Sequence, residues 1–516
     1  MLLRRVVFVV VTVLAMLLPE VASAQTGIGT SVVLRAPLSG SNEIGTGDPE
    51  GFGFAKVRID LATSQVCYRL SVAGTGAATA AHIHVGNAGT NGPVVVPFAA
   101  PVDGLSNGCV GITADLAAAI ATNPSGYYVN IHTAEFPGGA VRGQLDWLGG
   151  QPNFRFPDAT TETVADGLNF PRGLAFGADG AVYVTDSGPA PEPGSDGCVM
   201  LPGPDGEDSE ACFVQSGSIV EIKDGMQNTV ATGLPGSISD LVVTASGEMY
   251  VVNGMGGDPT VVREAAGDFA AGYGYIVKVD SDGDGWVPVA DIAGYEAVAN
   301  PDGGMVDTNP FGLALDGDGF LVTDAGGNSL LHASMDGTVS TVAVFSSQMV
   351  DAPPFLELPE GTQIPMEAVP TSVTQGPDGA WYVSELTGFP FEVDAARIWR
   401  VEDMNADGDA LDDGEMSVYA EGFTAALDLA FDPEGQLYVL EMAKNGLLAF
   451  EEDPSDLAAG TGALIRINSD GTRTEVASGL LILPIGLAID SDGVIYATHL
   501  SLVPDMGEVV KIVLRQ

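Results

Sequence analysis

The sequence predicts an all-β protein: an N-terminal β-sandwich, then a six-bladed β-propeller closed by strands from both ends of the repeat region. Three observations carry this. A strand–turn–strand unit recurs six times after residue 160, and short alternating strands with Gly, Pro and Asn breaks fill residues 27–148. The composition, 46% hydrophobic and 17% charged with 68 glycines and 32 prolines, excludes a coiled coil, a collagen or a disordered tail.

Taken in order, Arg4 and Arg5 precede an apolar run of 13 residues, Val6 to Leu18, and Ala22-Ser23-Ala24 offers a small-residue cleavage site. Residues 1–24 therefore read as a secretory signal peptide, too short to span a bilayer. The first cysteine is Cys67 and no hydrophobic anchor closes the chain, so a secreted or periplasmic product without membrane insertion is expected. Acidic residues outnumber basic ones by 68 to 19, a net charge of −49. That field repels phosphate backbones and anionic headgroups and attracts cations, so nucleic acid is excluded as a partner.

Residues 27–148 form the expected sandwich, with Phe52–Asp60, Val66–Leu70 and Tyr127–His132 among its strands; residues 149–159 read as a linker. Four cysteines fall into two local pairs, Cys67 with Cys109 and Cys198 with Cys212. In an oxidising compartment the within-pair connectivity is favoured among the three that four cysteines allow.

Residues 160–516 hold the propeller. The repeats run 173–186, 240–253, 312–324, 372–385, 428–441 and 486–499, with turn glycines at 180, 247, 319, 379, 435 and 493, spaced 56 to 72 residues apart. The chain stops after the third strand of the last blade, around residues 508–514, and residues 161–166 are expected to supply the fourth. Such closure leaves no open sheet edge.

Two resemblances follow. Ala81–Val96 (AHIHVGNAGTNGPVVV) and Tyr128–Leu145 (YVNIHTAEFPGGAVRGQL) resemble the CHRD (chordin-type) domain over residues 27–148. Asp324–Ser346 (DAGGNSLLHASMDGTVSTVAVFS) and the six-repeat frame resemble the ScyD/ScyE propellers associated with scytonemin biosynthesis, over residues 160–514. The second resemblance implies a secreted propeller and an accessory role in extracellular pigment or envelope maturation.

Several constellations bear on chemistry. Asp280, Asp282, Asp284 and Asp291 stand at loop positions 1, 3, 5 and 12, with Gly285 at 6, a spacing that wraps oxygens around calcium. Asp403, Asn405, Asp407 and Asp409 repeat it in blade four, where Gly414 takes position 12 and Glu415 follows one step late. A solvated acidic turn is the competing reading for each. His82 and His84 share one face of a strand and His132 lies on another, a set that copper or zinc accepts. A hydrogen-bonded structural cluster competes with that reading.

The second strands end at Asp186, Asn253, Asp324, Glu385, Glu441 and His499, and Asp240 and Asp428 begin inner strands three blades apart. These residues predict a polar, mostly acidic channel mouth. Asp240, Asp428, Glu385 and Glu441 are the candidates there for a metal-dependent lactonase or hydrolase, against a role as turn caps. The favoured expectation is a calcium-stabilised extracellular binding protein without turnover. Its ligand, unidentified, would be a protein, a polymer or an apolar small molecule, met by mouth-face loops carrying Phe389, Phe391, Leu447, Leu448 and Phe450.

Overall fold

The computed structural model describes residues 31–49, 51–60, 64–102, 104–147, 159–202, 208–356, 358–359, 361–448, 460–468, 471–477 and 479–514. The expected signal peptide, residues 1–24, and most of the expected linker lie outside the described residues. The chain divides into two compact units, Val21–Phe156 and Pro157–Gln516.

In the first unit alternation drives the fold. Phe52–Asp60 and Gln65–Ala73 bury every second residue, so each strand offers one apolar face. One hydrogen-bonded sheet runs in the order Val94–Phe98, Ala78–Val85, Tyr127–Thr133, Val141–Gln144, Ser31–Ser39, Phe52–Asp60, Gln65–Ala73, Leu105–Gly111; Asp146–Trp147 also pairs with Ser31–Ser39. All its inward residues share one core, from Leu34 and Val57 to Ile83 and Ile131. The sandwich is thus a continuous sheet folded over a single core. Helix α1 (Ala114–Thr122), capped by Thr113, adds Ala117, Ile120 and Ala121 to that core. Cys67 faces Cys109 across neighbouring strands and is bonded to it.

The second unit is a propeller of six four-stranded antiparallel sheets. Blade two shows the pattern: Ile238–Val243 innermost, then Met249–Asn253, Tyr275–Val279 and Trp286–Asp291. Its first turn needs Gly247, at φ +84°, where an L side chain is strained. Blade three departs from the expected spacing. There Gly317, at φ +58°, carries the turn, and Gly319 opens the second strand, where an added Cβ would stand 2.8 Å from Ala333 O.

Blade six joins Leu487–Ile489, Ile495–His499 and Gly507–Leu514 to Ala159–Leu168, with Thr161 opposite Ile512. Strands from both ends of the repeat region therefore close the ring. The Cys198–Cys212 disulfide ties a two-stranded hairpin inserted in blade one. Disulfides suit an oxidising compartment. Among the described residues no helix is long and apolar enough to cross a membrane.

The mouth face, where inner strands start and second strands end, carries two apolar caps. Over blades one and two, Leu201 and Phe213 of the disulfide hairpin region pack on Val262 and Ala266 of helix α2 (Pro259–Ala266). Over blades three to six, Leu356 and Ile364 from the connection between blades three and four join Phe389, Phe391, Leu427, Leu447 and Ile485. The expectation of exposed mouth-face aromatics is corrected here. Phe389 and Phe391 are 6% exposed and Leu447 2%, because loops of successive blades bury them against one another. Phe450 lies outside the described residues.

Candidate functional site

His82 and His84 point to the outer face of Ala78–Val85, because Ala81 and Ile83 take the inward positions. The neighbouring strand pairs Ala80 with His132 and His82 with Asn130, which brings the third imidazole alongside. One nitrogen from each of His82, His84 and His132 lies within 4.8 Å of the other two. Backbone carbonyls orient two of the rings: Gly92 O lies 2.9 Å from His84 Nδ1, and Pro137 O lies 3.0 Å from His132 Nδ1. A carbonyl only accepts, so each Nδ1 carries the proton and each Nε2 keeps its lone pair free. Both of those Nε2 atoms, and His82 Nδ1, are buried without a partner. Burial holds His82 and His84 below the ordinary histidine value, and the other imidazoles push in the same direction. Neutral imidazole is the form that ligates metal.

The surrounding residues fix this geometry. Gly92 belongs to a loop passing so close to Val85 that a Cβ would lie 1.6 Å from Val85 O. Arg142, 2% exposed, ties that loop through Asn91 Oδ1 at 3.1 Å and Thr90 O at 2.8 Å. Its guanidinium lies over the Tyr128 ring, which stacks against His84 at 4.9 Å. Sequence reasoning found the three histidines but not Gly92, Pro137, Tyr128 or Arg142. All four sit within the two segments that carry the CHRD resemblance.

Residues 34–145 match the CHRD domain. No curated protein matches the chain. Among solved structures, the chain is similar to a streptogramin B lyase at 14% identity, covering 69% of this chain and 98% of that one with a TM-score of 0.37. It is similar to a gluconolactonase from Xanthomonas campestris at 12% identity, covering 69% and 89%, with a TM-score of 0.37. A PQQ-bound aldose sugar dehydrogenase from Streptomyces coelicolor matches at 18% identity, covering 60% and 97%, with a TM-score of 0.30. Likeness at that level carries no conclusion about activity.

At the propeller axis, Gly173, Asp240, Gly312, Ser372, Asp428 and Gly486, one in or just before each inner strand, line a space of about 10 Å³, roughly one water. The glycines let adjoining strands approach: a Cβ on Gly173 would meet Asp240 Oδ1 at 2.4 Å, and one on Gly486 would meet Arg172 O at 1.8 Å. Asp240 accepts from Leu241 N at 2.8 Å and from Leu313 N of blade three at 2.9 Å. Asp428 accepts from Leu429 N at 2.7 Å, Ser372 Oγ of blade four at 2.6 Å and Leu487 N of blade six at 2.6 Å. Each carboxylate latches neighbouring blades together. Burial raises Asp428 to about 6; burial and the facing Asp428 raise Asp240 well above the usual range. Arg172, one residue before Gly173 in blade one, lies with its guanidinium 5.9 Å from the Phe311 ring, and burial lowers it to about 10.

Glu385 and Glu441 do not join Asp240 and Asp428. Glu385 is fully buried against Arg397 (2.7 Å) and Trp399 Nε1 (2.5 Å). Glu441 accepts from Thr424 N at 2.8 Å, as Asp186 does from Asn169 N at 3.2 Å and Asp324 from Asn309 N at 2.6 Å. Asp186, Asp324 and Glu441 thus cap the crossovers into their own blades, and Glu385 is held by the third strand of its own blade.

The acidic loops lie on the opposite face. Asp280, Asp282 and Asp284 form the turn from Val279 to Trp286, closed by Asp280 N to Gly285 O at 2.9 Å. Asp291 is a correction. It stands at the far end of that strand, opposite Tyr275, some 16 Å along at about 3.3 Å per residue. There it binds Arg263 (2.6 Å) and Tyr275 Oη (2.8 Å) and caps helix α3 (Ile292–Ala299), so it cannot complete the loop. In blade four, Asp403 accepts from Ala406 N (2.6 Å) and Gly408 N (2.9 Å), Asn405 from Asp407 N (2.9 Å), and Asp407 from Asp409 N (3.3 Å). The returning carboxylate is Glu415, 3% exposed, bonded to Met404 N at 3.0 Å and Asp412 N at 3.2 Å. Among the described residues, neither loop brings three His, Cys, Asp or Glu ligand atoms within 4.8 Å of one another.

Proposed function

We propose that this is an exported binding protein whose CHRD domain holds a copper or zinc ion through His82, His84 and His132. The observation that carries this reading is the donor set itself: three buried, partnerless imidazole nitrogens on one sheet face, two of them oriented by carbonyls. Imidazole suits copper and zinc, and such outer partners raise ligand basicity and fix tautomers. Three protein ligands leave a fourth position open for a donor from an extracellular partner. Secretion belongs to the same proposal, supported by the signal-like N-terminal sequence and by the two disulfides.

The propeller acts in this reading as a rigid support without turnover, stabilised by calcium at the blade-two and blade-four loops. The axial space of about one water, and the use of Asp240 and Asp428 as latches, favour that over lactone hydrolysis. Membership of the ScyD/ScyE group is part of the proposal as well, on the six-blade frame and residues 324–346. Calorimetric titration of the metal-free chain with copper or zinc should give one site per chain, lost in His84→Ala and in His132→Ala. A panel of lactones and esters should show no hydrolysis above buffer. Unchanged metal binding in both variants, or lactone turnover abolished by Asp240→Ala, would overturn the reading.

A further inference from the structure

Glu296 projects from helix α3, between the last strand of blade two and the first of blade three, on the mouth face. It is fully buried, and neither carboxylate oxygen has a hydrogen-bond partner. Its surroundings are acidic. Asp324, Asp302 and Asp307 all lie within electrostatic reach, and Glu367 feels Asp307 and Asp302. Among the described residues, no lysine, arginine or histidine forms an ion pair with any of the five.

The three aspartates are engaged by donors, whereas Glu296 is buried with none. Asp324 takes Thr308 Oγ1 on Oδ2 at 2.7 Å and Asn309 N on Oδ1 at 2.6 Å. Asp302 takes Gly304 N at 2.7 Å and Asn328 Nδ2 at 3.0 Å, and Asp307 takes Gly257 N at 2.7 Å. Glu296 and Asp324 lie close together beside Gly327: a Cβ added there would lie 2.9 Å from Glu296 Oε2 and 3.3 Å from Asp324 Oδ2, although no three of these acids bring oxygens within 4.8 Å of one another. Asn300, at the C-cap of helix α3, contributes a further buried oxygen, Oδ1, also without a partner.

A buried carboxylate without donors costs several kcal/mol unless a proton or a cation neutralises it. Burial and the adjoining carboxylates both act against the charged form of Glu296. We infer that Glu296 and Asp324 hold a calcium ion between them, with Asp302, Asp307 and Glu367 neutralising it from farther out. The donors are all oxygen, with no nitrogen or sulfur, which selects a hard cation. Calcium accepts a loose set of six to eight ligands, so water and Asn300 Oδ1 complete what two carboxylates begin. The bound ion would pin helix α3 to the Asp324 end of blade three. This site is separate from both acidic loops, which lie on the opposite face, and from the histidines of the other unit.

The test is calcium stoichiometry of the full chain at pH 7.5, by equilibrium dialysis with elemental analysis. Glu296→Gln should bind one calcium fewer than the parent, whereas Asp282→Ala with Asp284→Ala should keep the Glu296 ion. Calcium should also raise the melting temperature of the parent more than that of Glu296→Gln. Should that variant misfold, crystals of the parent soaked in terbium should show an anomalous peak between Glu296 and Asp324. Unchanged stoichiometry in folded Glu296→Gln, or no peak there while other acidic sites fill, would overturn the inference and leave Glu296 a protonated carboxyl.

Discussion

Replacing Asp428 with alanine separates a structural latch from a catalytic carboxylate. The substitution removes the acceptor for Leu487 N, Leu429 N and Ser372 Oγ, bonds of 2.6, 2.7 and 2.6 Å. Two backbone donors are left without partners at the axis, each worth about 1–3 kcal/mol, so a loss of roughly 3–5 kcal/mol is expected with the parent's Asp428 protonated. The pH dependence is distinctive. Burial raises Asp428 from 3.8 to about 6, so its stabilising contribution is fully present below 3.8 and is lost as pH rises through 6. A shift of that size is worth about 3 kcal/mol in all, of which about 1.4 kcal/mol disappears between pH 5 and pH 8. Alanine cannot titrate. Urea midpoints, measured with a calcium chelator present, should therefore show Asp428→Ala more destabilised at pH 5 than at pH 8, by about that amount. Equal destabilisation at both pH values, or a larger one at pH 8, would refute the latch.

Other expectations follow from the same geometry. Deleting residues 25–165 removes most of the closing strand Ala159–Leu168, whereas deleting 25–155 leaves it whole; only the longer deletion should lower the propeller's melting temperature, and equal values would contradict closure. In blade four, Glu415→Gln should weaken calcium binding at that loop as much as Asp403→Ala does, because Glu415 is the carboxylate that returns to it. Calorimetry with calcium would show otherwise if only Asp403→Ala had an effect.

The frame of the propeller was legible because its signals are local. A turn glycine and an alternating strand pair repeat six times, and every second strand ends where that repeat places it, from Asp186 to His499. Closure was legible by the same counting. What escaped depends on contacts between blades. Phe389, Phe391 and Leu447 look like recognition residues on isolated loops, and only their meeting with Leu356 and Ile364 buries them. Asp291 fits a twelve-residue calcium spacing, yet that spacing presumes a loop, and strand pairing from Trp286 carries it away. Glu296 gave no signal at all, since an acid on a short helix normally faces water; the carboxylates around it come from the loop before blade three, the end of its second strand and the approach to blade four. His82 and His84 were visible as neighbours on one strand face, whereas the carbonyls of Gly92 and Pro137 that orient His84 and His132 carry no sequence mark.

The central claim is that the CHRD domain binds a transition metal through three imidazoles. X-ray absorption at the metal edge, on the full chain loaded with one equivalent of zinc or copper, tests it most directly. The account predicts a first shell dominated by three histidine nitrogens, at about 2.0–2.1 Å for zinc, and loss of that signature in His84→Ala. A shell of oxygen atoms alone, unchanged by the substitution, would place the metal on the acidic surface and contradict the claim.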